Sequence, residues 1–386
     1  MTIPGAASKL AASSPAGSEL NAVLREISPA LREQWGDSRV LPARMAWQQA
    51  LHRHNWVAPA WPIEYGGRGL SIRERVACSL VLAENRVPPM GGILGIQNVG
   101  YALMAFGTPA QKASLPKILS TEELWCQGFS EPEAGSDLAS LRTRAIADGD
   151  EFVVNGQKIW TSEGMNATHC LLLARTDPAA PKHQGISAFT VDMTTPGIEC
   201  RPIRQITGES DFAEVFFSDM RVPAANLLGP LNGGWGVTTT TLAHERAGVI
   251  GMAAEMEVNV TNQIVAVLSG DSNIGQGASS VVLRERMARC YANARVAGLL
   301  GMAALQEAEA GGAEGAQQSL IKLIWSSTTQ EVSRTLLEVH GSGNAASSAS
   351  TSYLYGRGAT IAGGTTEILK SLAGERVLGL AREPRP

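Results

Sequence analysis

The chain has 386 residues, a formal net charge of −4, 44% apolar residues and 18% charged residues. That composition offers enough apolar surface for folded cores and excludes a disordered chain. It lacks the basic excess of nucleic-acid proteins, so no nucleic-acid partner is expected, and no stretch reaches the ~18 apolar residues of a membrane span.

At roughly 150 residues per domain, the length suits two or three domains. Low aromatic content, 5%, leans toward helix rather than an all-β sandwich. Residues 1–18 are rich in Ala, Ser and Gly and predict a frayed start without a secretory signal. From Glu19 to Ser120 the apolar spacing is helical, with Pro29 as punctuation and Ser71 as the cap of a second amphipathic stretch. A proline- and glycine-rich segment around Trp61 predicts a long loop between them.

The period then changes. Asp150 to Trp160 reads as strand, Asn155-Gly156 turn, strand, because Asn-Gly supplies the positive φ of a two-residue hairpin. Further strand-length segments run to Leu228 and predict a small barrel or sandwich. From Gly233 onward helices return: two long ones, a third stopped by Gly341, and a short fourth. The expected architecture is mainly α with a central β domain. Residues 1–122 form an N-terminal helical domain, 123–232 a middle β domain and 233–386 a C-terminal four-helix bundle.

The five cysteines are odd in number, dispersed and without C-x-x-C, which suits reduced thiols and a cytoplasmic chain rather than a disulfide framework or zinc site. G-x-G-x-x-G after a strand, the P-loop, G-x-S-x-G and H-E-x-x-H are all absent, so Rossmann, P-loop and common hydrolase chemistries have no support.

Four stretches carry chemistry. Phe129-Ser130-Glu131-Pro132-Glu133-Ala134-Gly135-Ser136-Asp137 leaves hydroxyls and backbone N–H groups free for an anionic or heteroaromatic ligand; it could equally be a turn that begins a barrel. Trp160-Thr161-Ser162 can cover a flat ring and hydrogen-bond its edge, or be a core Trp at a strand end. Gly363-Gly364-Thr365-Thr366-Glu367 precedes a helix that Thr365 or Thr366 could cap. Glu245 shares its helical stripe with Thr241, Gly248 and Val249 rather than with Arg246; it is either solvated or a base of raised pKa in a pocket. His340 beside Gly341 suits a helix C-terminus.

Taken in order, Trp61-Pro62-Ile63-Glu64-Tyr65-Gly66-Gly67, the Phe129–Asp137 stretch, Asn155-Gly156-Gln157-Lys158-Ile159-Trp160-Thr161-Ser162, Gly363–Ile368 and Glu375-Arg376-Val377-Leu378-Gly379-Leu380 resemble the acyl-CoA dehydrogenase family, over about residues 20–382. The resemblance implies FAD, with Phe129, Ser130, Ser136, Trp160, Thr161, Ser162, Gly341, Gly364, Thr365 and Glu367 as cofactor-binding positions. It implies α,β-dehydrogenation of an acyl-CoA to a trans-2-enoyl-CoA, with hydride passing to flavin N5. It also implies an electron-transfer flavoprotein as acceptor, and a homo- or hetero-oligomer, dimer or tetramer. Many members carry the catalytic glutamate just before Gly-Thr in the C-terminal segment, where this chain has Gly363. Members resembling the isovaleryl and long-chain enzymes carry it in the long helix, which makes Glu245 the expected base and Arg246 its electrostatic support. The Arg-x-x-Phe-Gly motif that often follows that helix is absent from Ser269–Gly277, as in the sterol-degrading branch, some of whose members are mixed tetramers. Two alternatives stay open: a non-catalytic partner subunit, and a flavin monooxygenase or nitroalkane-type oxidase on the same fold. Small residues at Gly248, Gly251 and Ala253-Ala254 leave room either for a bulky acyl chain or for close helix packing.

Overall fold

The computed structural model describes residues 10–11, 13–32, 40–268, 281–311, 316–340 and 348–381. The chain divides into two compact units, a helical one (1–26, 70–87 and 246–386) and a sheet-bearing one (27–69 and 88–245).

α1 (Pro15–Arg32) begins in the helical unit, enters the sheet-bearing unit at residue 27 and runs through Pro29 rather than stopping there; α2 (Leu41–Arg53) follows in the sheet-bearing unit. The expected loop around Trp61 is a turn with one short 3-10 segment, Ile63–Tyr65. Its indole is buried and donates to the Ile96 carbonyl at 3.0 Å. Gly100 is needed against that ring, since a Cβ there would lie 2.1 Å from the indole. A π-helical turn, Gly95–Val99, leads into α4 (Gly100–Phe106), followed by α5 (Pro109–Lys112) and α6 (Ser114–Ser120). Buried Gln48 of α2 joins these pieces by donating to the Ile118 carbonyl and accepting from Gly92 N–H.

The sheet comprises β1 (Trp125–Gly128), β2 (Arg144–Asp148), β3 (Glu151–Ser162), β4 (His169–Arg175), β5 (Ile186–Asp192), β6 (Ile198–Ile203), β7 (Phe212–Pro223) and β8 (Leu227–Leu228). Strand order is β6-β7-β3-β2-β4-β5-β8, with β1 added parallel to β4. Inward residues alternate along each strand, among them Phe152, Val154, Cys170, Leu172, Phe189, Val215 and Met220, and form one core.

The hairpin turn is displaced from the expected Asn155-Gly156. It lies at Gly149-Asp150, where Asp148 faces Glu151 across the turn and Gly149 takes φ 66°. β3 runs on through Asn155 and Gly156 with a bulge against β7. Asn155 spends its side chain across the sheet, donating to Asp219 and accepting Asp219 N–H, both at 2.9 Å. Gly156 is required for close approach, because a Cβ would sit 2.5 Å from the Thr143 hydroxyl oxygen. Two glycine-containing turn signals stand six residues apart, and local chemistry alone does not rank them.

The helical unit contains α3 (Ile72–Glu84), most of α7 (Gly234–Leu268), α8 (Val281–Glu309), α9 (Ala316–His340), α10 (Ser348–Tyr355) and α11 (Thr366–Arg376). Ser71 caps α3 in a capping box with Glu74, as its sequence position predicts. α10 and the 3-10 turn Gly356–Thr360 are additional to the four expected helices. Arg73 of α3 pairs with Glu309 of α8, and Arg286 of α8 with Glu338 of α9. None of the five cysteines is in a disulfide; four are buried and Cys200 partly so.

Candidate active site

The two motif stretches of the sheet unit lie side by side. β1 ends at Gly128, and Phe129-Ser130 leaves it alongside the end of β3, where Ile159 N–H donates to the Ser130 carbonyl at 2.9 Å. Phe129 is buried and Ser130 half-buried, while Ser136 is exposed next to Gly135, whose Cβ position faces open space.

Beneath this junction lies Lys158, entirely buried. Its ammonium donates to a Glu131 carboxylate oxygen at 2.8 Å and to the Phe129 carbonyl at 3.0 Å. The Glu131 carboxylate also accepts the backbone N–H groups of Arg142 (2.6 Å) and Thr143 (2.9 Å). Burial pushes the Lys158 amine down to about 8, against the opposing pull of Glu131. Burial works to raise Glu131, but the Lys158 charge and the converging hydrogen bonds outweigh it and hold the carboxyl below its ordinary value. Both groups are therefore ionised at neutral pH, and every hydrogen bond of this pair is charge-assisted.

Beyond Lys158 the strand slips register against β7, and Trp160 adopts φ 59°. Its indole is 56% exposed and meets Phe212 edge-on at 6.0 Å between ring centres. Three residues later Glu163 is also left-handed, at φ 57°. Such conformations cost about 1–2 kcal/mol per non-glycine residue and collect at ligand sites. Arg44 of α2 anchors Glu163 through a 2.6 Å ion pair and also donates to the Met90 carbonyl.

Between the two strained residues, Thr161 is buried and its hydroxyl has no hydrogen-bond partner among the described residues. The side-chain nitrogen of Gln127 in β1 is likewise buried without a partner, while its oxygen accepts from Asn98 at 3.1 Å. Asn98 lies on the π-helical turn, a distortion frequent at functional sites. An unmet buried polar group costs about 1–3 kcal/mol and calls for an explanation, a bound ligand among them.

In the helical unit, Gly363 and Gly364 take φ 64° and 104° and deliver the chain to Thr365, which caps α11 by accepting Ile368 N–H at 3.3 Å. Glu367 is exposed in the first turn of that helix. The backbones of Glu245 and Arg246 belong to α7, but their side chains lie outside the described residues, as do Gly341, the His340 side chain and Ser269–Gly277. Gly251 and Ala253 serve helix packing: a Cβ at Gly251 would stand 3.1 Å from the Ser79 hydroxyl, and Ala253 touches the Gly301 position. Gly248 faces open space. No cluster of three metal-ligating side chains occurs among the described residues.

In the sequence Glu131 and Lys158 stand out only as members of motifs, and Arg44, Glu163, Asn98 and Gln127 do not stand out at all. One signal was available for Lys158: it follows Phe152, Val154 and Gly156 on the inward alternation of β3, where a lysine needs a buried partner.

Three family models match in chain order: the acyl-CoA dehydrogenase N-terminal domain over residues 21–122, the middle domain over 126–220 and the C-terminal domain over 232–378. The chain belongs to the acyl-CoA dehydrogenase family. It is an oxidoreductase with the expected fold class, mainly α with a central β domain. Among curated relatives, the acyl-CoA dehydrogenase IpdE1 of Mycobacterium tuberculosis is 36% identical over 355 residues, 89% of each chain. Among solved structures, one described as the Tcur3481-Tcur3483 steroid ACAD aligns with TM-score 0.84 and 31% identity over 99% of each chain. The ChsE4-ChsE5 complex from Mycobacterium tuberculosis aligns with TM-score 0.77 and 29% identity, covering 99% of this chain and 100% of that one. No described helix is long and apolar enough to cross a membrane.

Proposed function

We propose that this protein is an FAD-dependent dehydrogenase that converts an acyl-CoA carrying a bulky, steroid-like acyl group to its trans-2-enoyl-CoA. The observation that carries the reading is the junction of Phe129-Ser130 with Ile159–Ser162: an exposed indole, hydroxyls on both segments, two strained residues and two unmet polar atoms gathered at one end of the sheet. These features fit a large planar heteroaromatic cofactor. Trp160 would lie over its ring system, and Ser130, Thr161 and Ser162 would hydrogen-bond its edge. Ser136, Gly341, Gly364, Thr365 and Glu367 complete the proposed cofactor set, and the domain limits 1–122, 123–232 and 233–386 belong to the same reading. The flavin, when bound, supplies the hydride acceptor.

Glu245 takes the α proton in this reading, supported by Arg246. A weakly acidic C–H needs a carboxylate of raised pKa in a dry site. Gly363, at the position where many family members carry the base, has a left-handed backbone that favours glycine. The steroid-like acyl group rests on the likeness to the steroid ACAD. An electron-transfer flavoprotein as acceptor and a cytoplasmic location are part of the proposal.

The test is anaerobic bleaching of the flavin by a panel of short, long, branched and steroid acyl-CoAs. Steroid acyl-CoAs should bleach it fastest, and Glu245→Gln, with flavin retained, should abolish bleaching. Near-normal bleaching by that variant would remove Glu245 as the base.

A second reading, a subunit that works only beside a paralogue, is favoured by the likeness to a two-protein complex and by the exposed apolar face of α8. Tyr291, Val296 and Leu299 project from that face into solvent. Co-purification with a second chain, and no flavin when the protein is made alone, would support it.

A further inference from the structure

The reaction as proposed leaves unused the most deeply buried charge described in the sheet unit. The Lys158–Glu131 pair joins three backbone stretches: Phe129 through its carbonyl, Arg142 and Thr143 through their N–H groups, and β3 through Lys158 itself. The first and third run straight into Ser130 and Trp160, and they are tied to each other once more by Ile159 N–H on the Ser130 carbonyl. A well-packed apolar pair of similar volume would generally stabilise the fold as well as a buried ion pair. What an apolar pair lacks is direction. Groups with fixed donors and acceptors set where the Phe129 carbonyl and the loop amides point, and charge strengthens that hold.

Strain gives the second argument. Trp160 keeps a left-handed backbone only if its surroundings over-determine it. It is held two residues upstream by buried Lys158 and three residues downstream by Glu163, itself fixed by Arg44. Gly128 gives the lysine stem its passage, since a Cβ there would already touch Lys158 Cγ at 3.6 Å and crowd Cys170 and Leu172 at 3.0 Å.

We infer that Glu131 and Lys158 are positioning residues for flavin binding: their buried pair fixes the Phe129-Ser130 and Ile159-Trp160 backbones in the geometry that receives the cofactor. The inference rests on the flavin reading given above. It separates the pair's directional role from its contribution to stability, and the two are separable by experiment.

The variants are Glu131→Met, Lys158→Met and the double Glu131→Met/Lys158→Met, each in the full chain. Three quantities are read: thermal unfolding, affinity for added FAD by fluorescence titration, and hydrogen exchange of the ligand-free protein over residues 129–143 and 158–163. Both single variants should lower the melting temperature. The double variant should regain most of it, yet bind FAD at least tenfold more weakly, with faster exchange at the Arg142, Thr143 and Ile159 amides. A double variant with natural FAD affinity and natural exchange at those amides overturns the inference. Failure of the natural chain to take up FAD overturns the flavin reading and the cofactor side of this inference with it. That outcome is distinct from failure of the positioning role, which the ligand-free exchange reads by itself.

Discussion

The sheet unit and the helical unit bury charge in different ways. In the sheet unit, Glu131 is met by a lysine and by two backbone N–H groups. In the helical unit, α7 carries Glu255 and Glu257 into its packing, and the partners found there are side chains. Glu257 pairs with Arg295 of α8 in a groove opened by Gly298, where a Cβ would lie 2.0 Å from the carboxylate. Burial pushes the Glu255 carboxyl up, with a hydrogen bond from Ser79 of α3 as the opposing influence. The cause is backbone arithmetic. A helix spends its interior N–H groups on its own carbonyls, so a carboxylate inside a bundle meets only side chains. A loop entering a sheet has N–H groups to spare, and a buried carboxylate there can organise the chain around it.

If that contrast is right, removing a partner should cost most in the sheet. Lys158→Met leaves the Glu131 carboxylate buried without its counter-charge, and should lose about 3–5 kcal/mol of stability in chemical denaturation. Arg295→Met should lose less, about 1 kcal/mol, because the arginine end of that pair is a third exposed and solvent screens its charge. A loss as large as that of Lys158→Met would erase the distinction.

Two pH experiments sharpen it. Glu131 has a folded pKa below its ordinary 4.5, so its contribution is intact above that pH and disappears as the pH falls through the lower folded value. The acid limb of the natural chain should therefore be steeper than that of Glu131→Gln. Glu255 has the opposite sign. Its folded pKa lies above 4.5, so the folded state binds the extra proton and stability falls as the pH rises from 4.5 through the folded value. Glu255→Gln should raise the melting temperature by a few degrees at neutral pH and leave it unchanged in acid. This is the smallest effect, and calorimetry at two pH values checks it.

Local signals carried far in this chain. Ser71 and Thr365 are capping residues by type and position, and both cap. The succession of helical, β and helical segments follows from the change of apolar period, and five motifs in order identified the family. The hairpin turn was misplaced because Gly149-Asp150 and Asn155-Gly156 are competing local signals, and the choice falls to cross-sheet contacts of Asn155 with Asp219 and of Gly156 with Thr143. Arg44 and Glu163 stand 119 residues apart, Glu131 and Lys158 stand 27 apart, and no periodicity links either pair.

The sequence by itself determined the family, the order of elements and which residue types could meet a flavin, because capping, periodicity and motif spacing are local properties of the chain. Tertiary structure alone decided that a lysine is buried in the sheet, which carboxylate neutralises it, and that Trp160 and Glu163 are held in strained conformations. Those features depend on strand pairing and on which backbone N–H groups a closed sheet leaves free, and such contacts exist only once distant segments have come together.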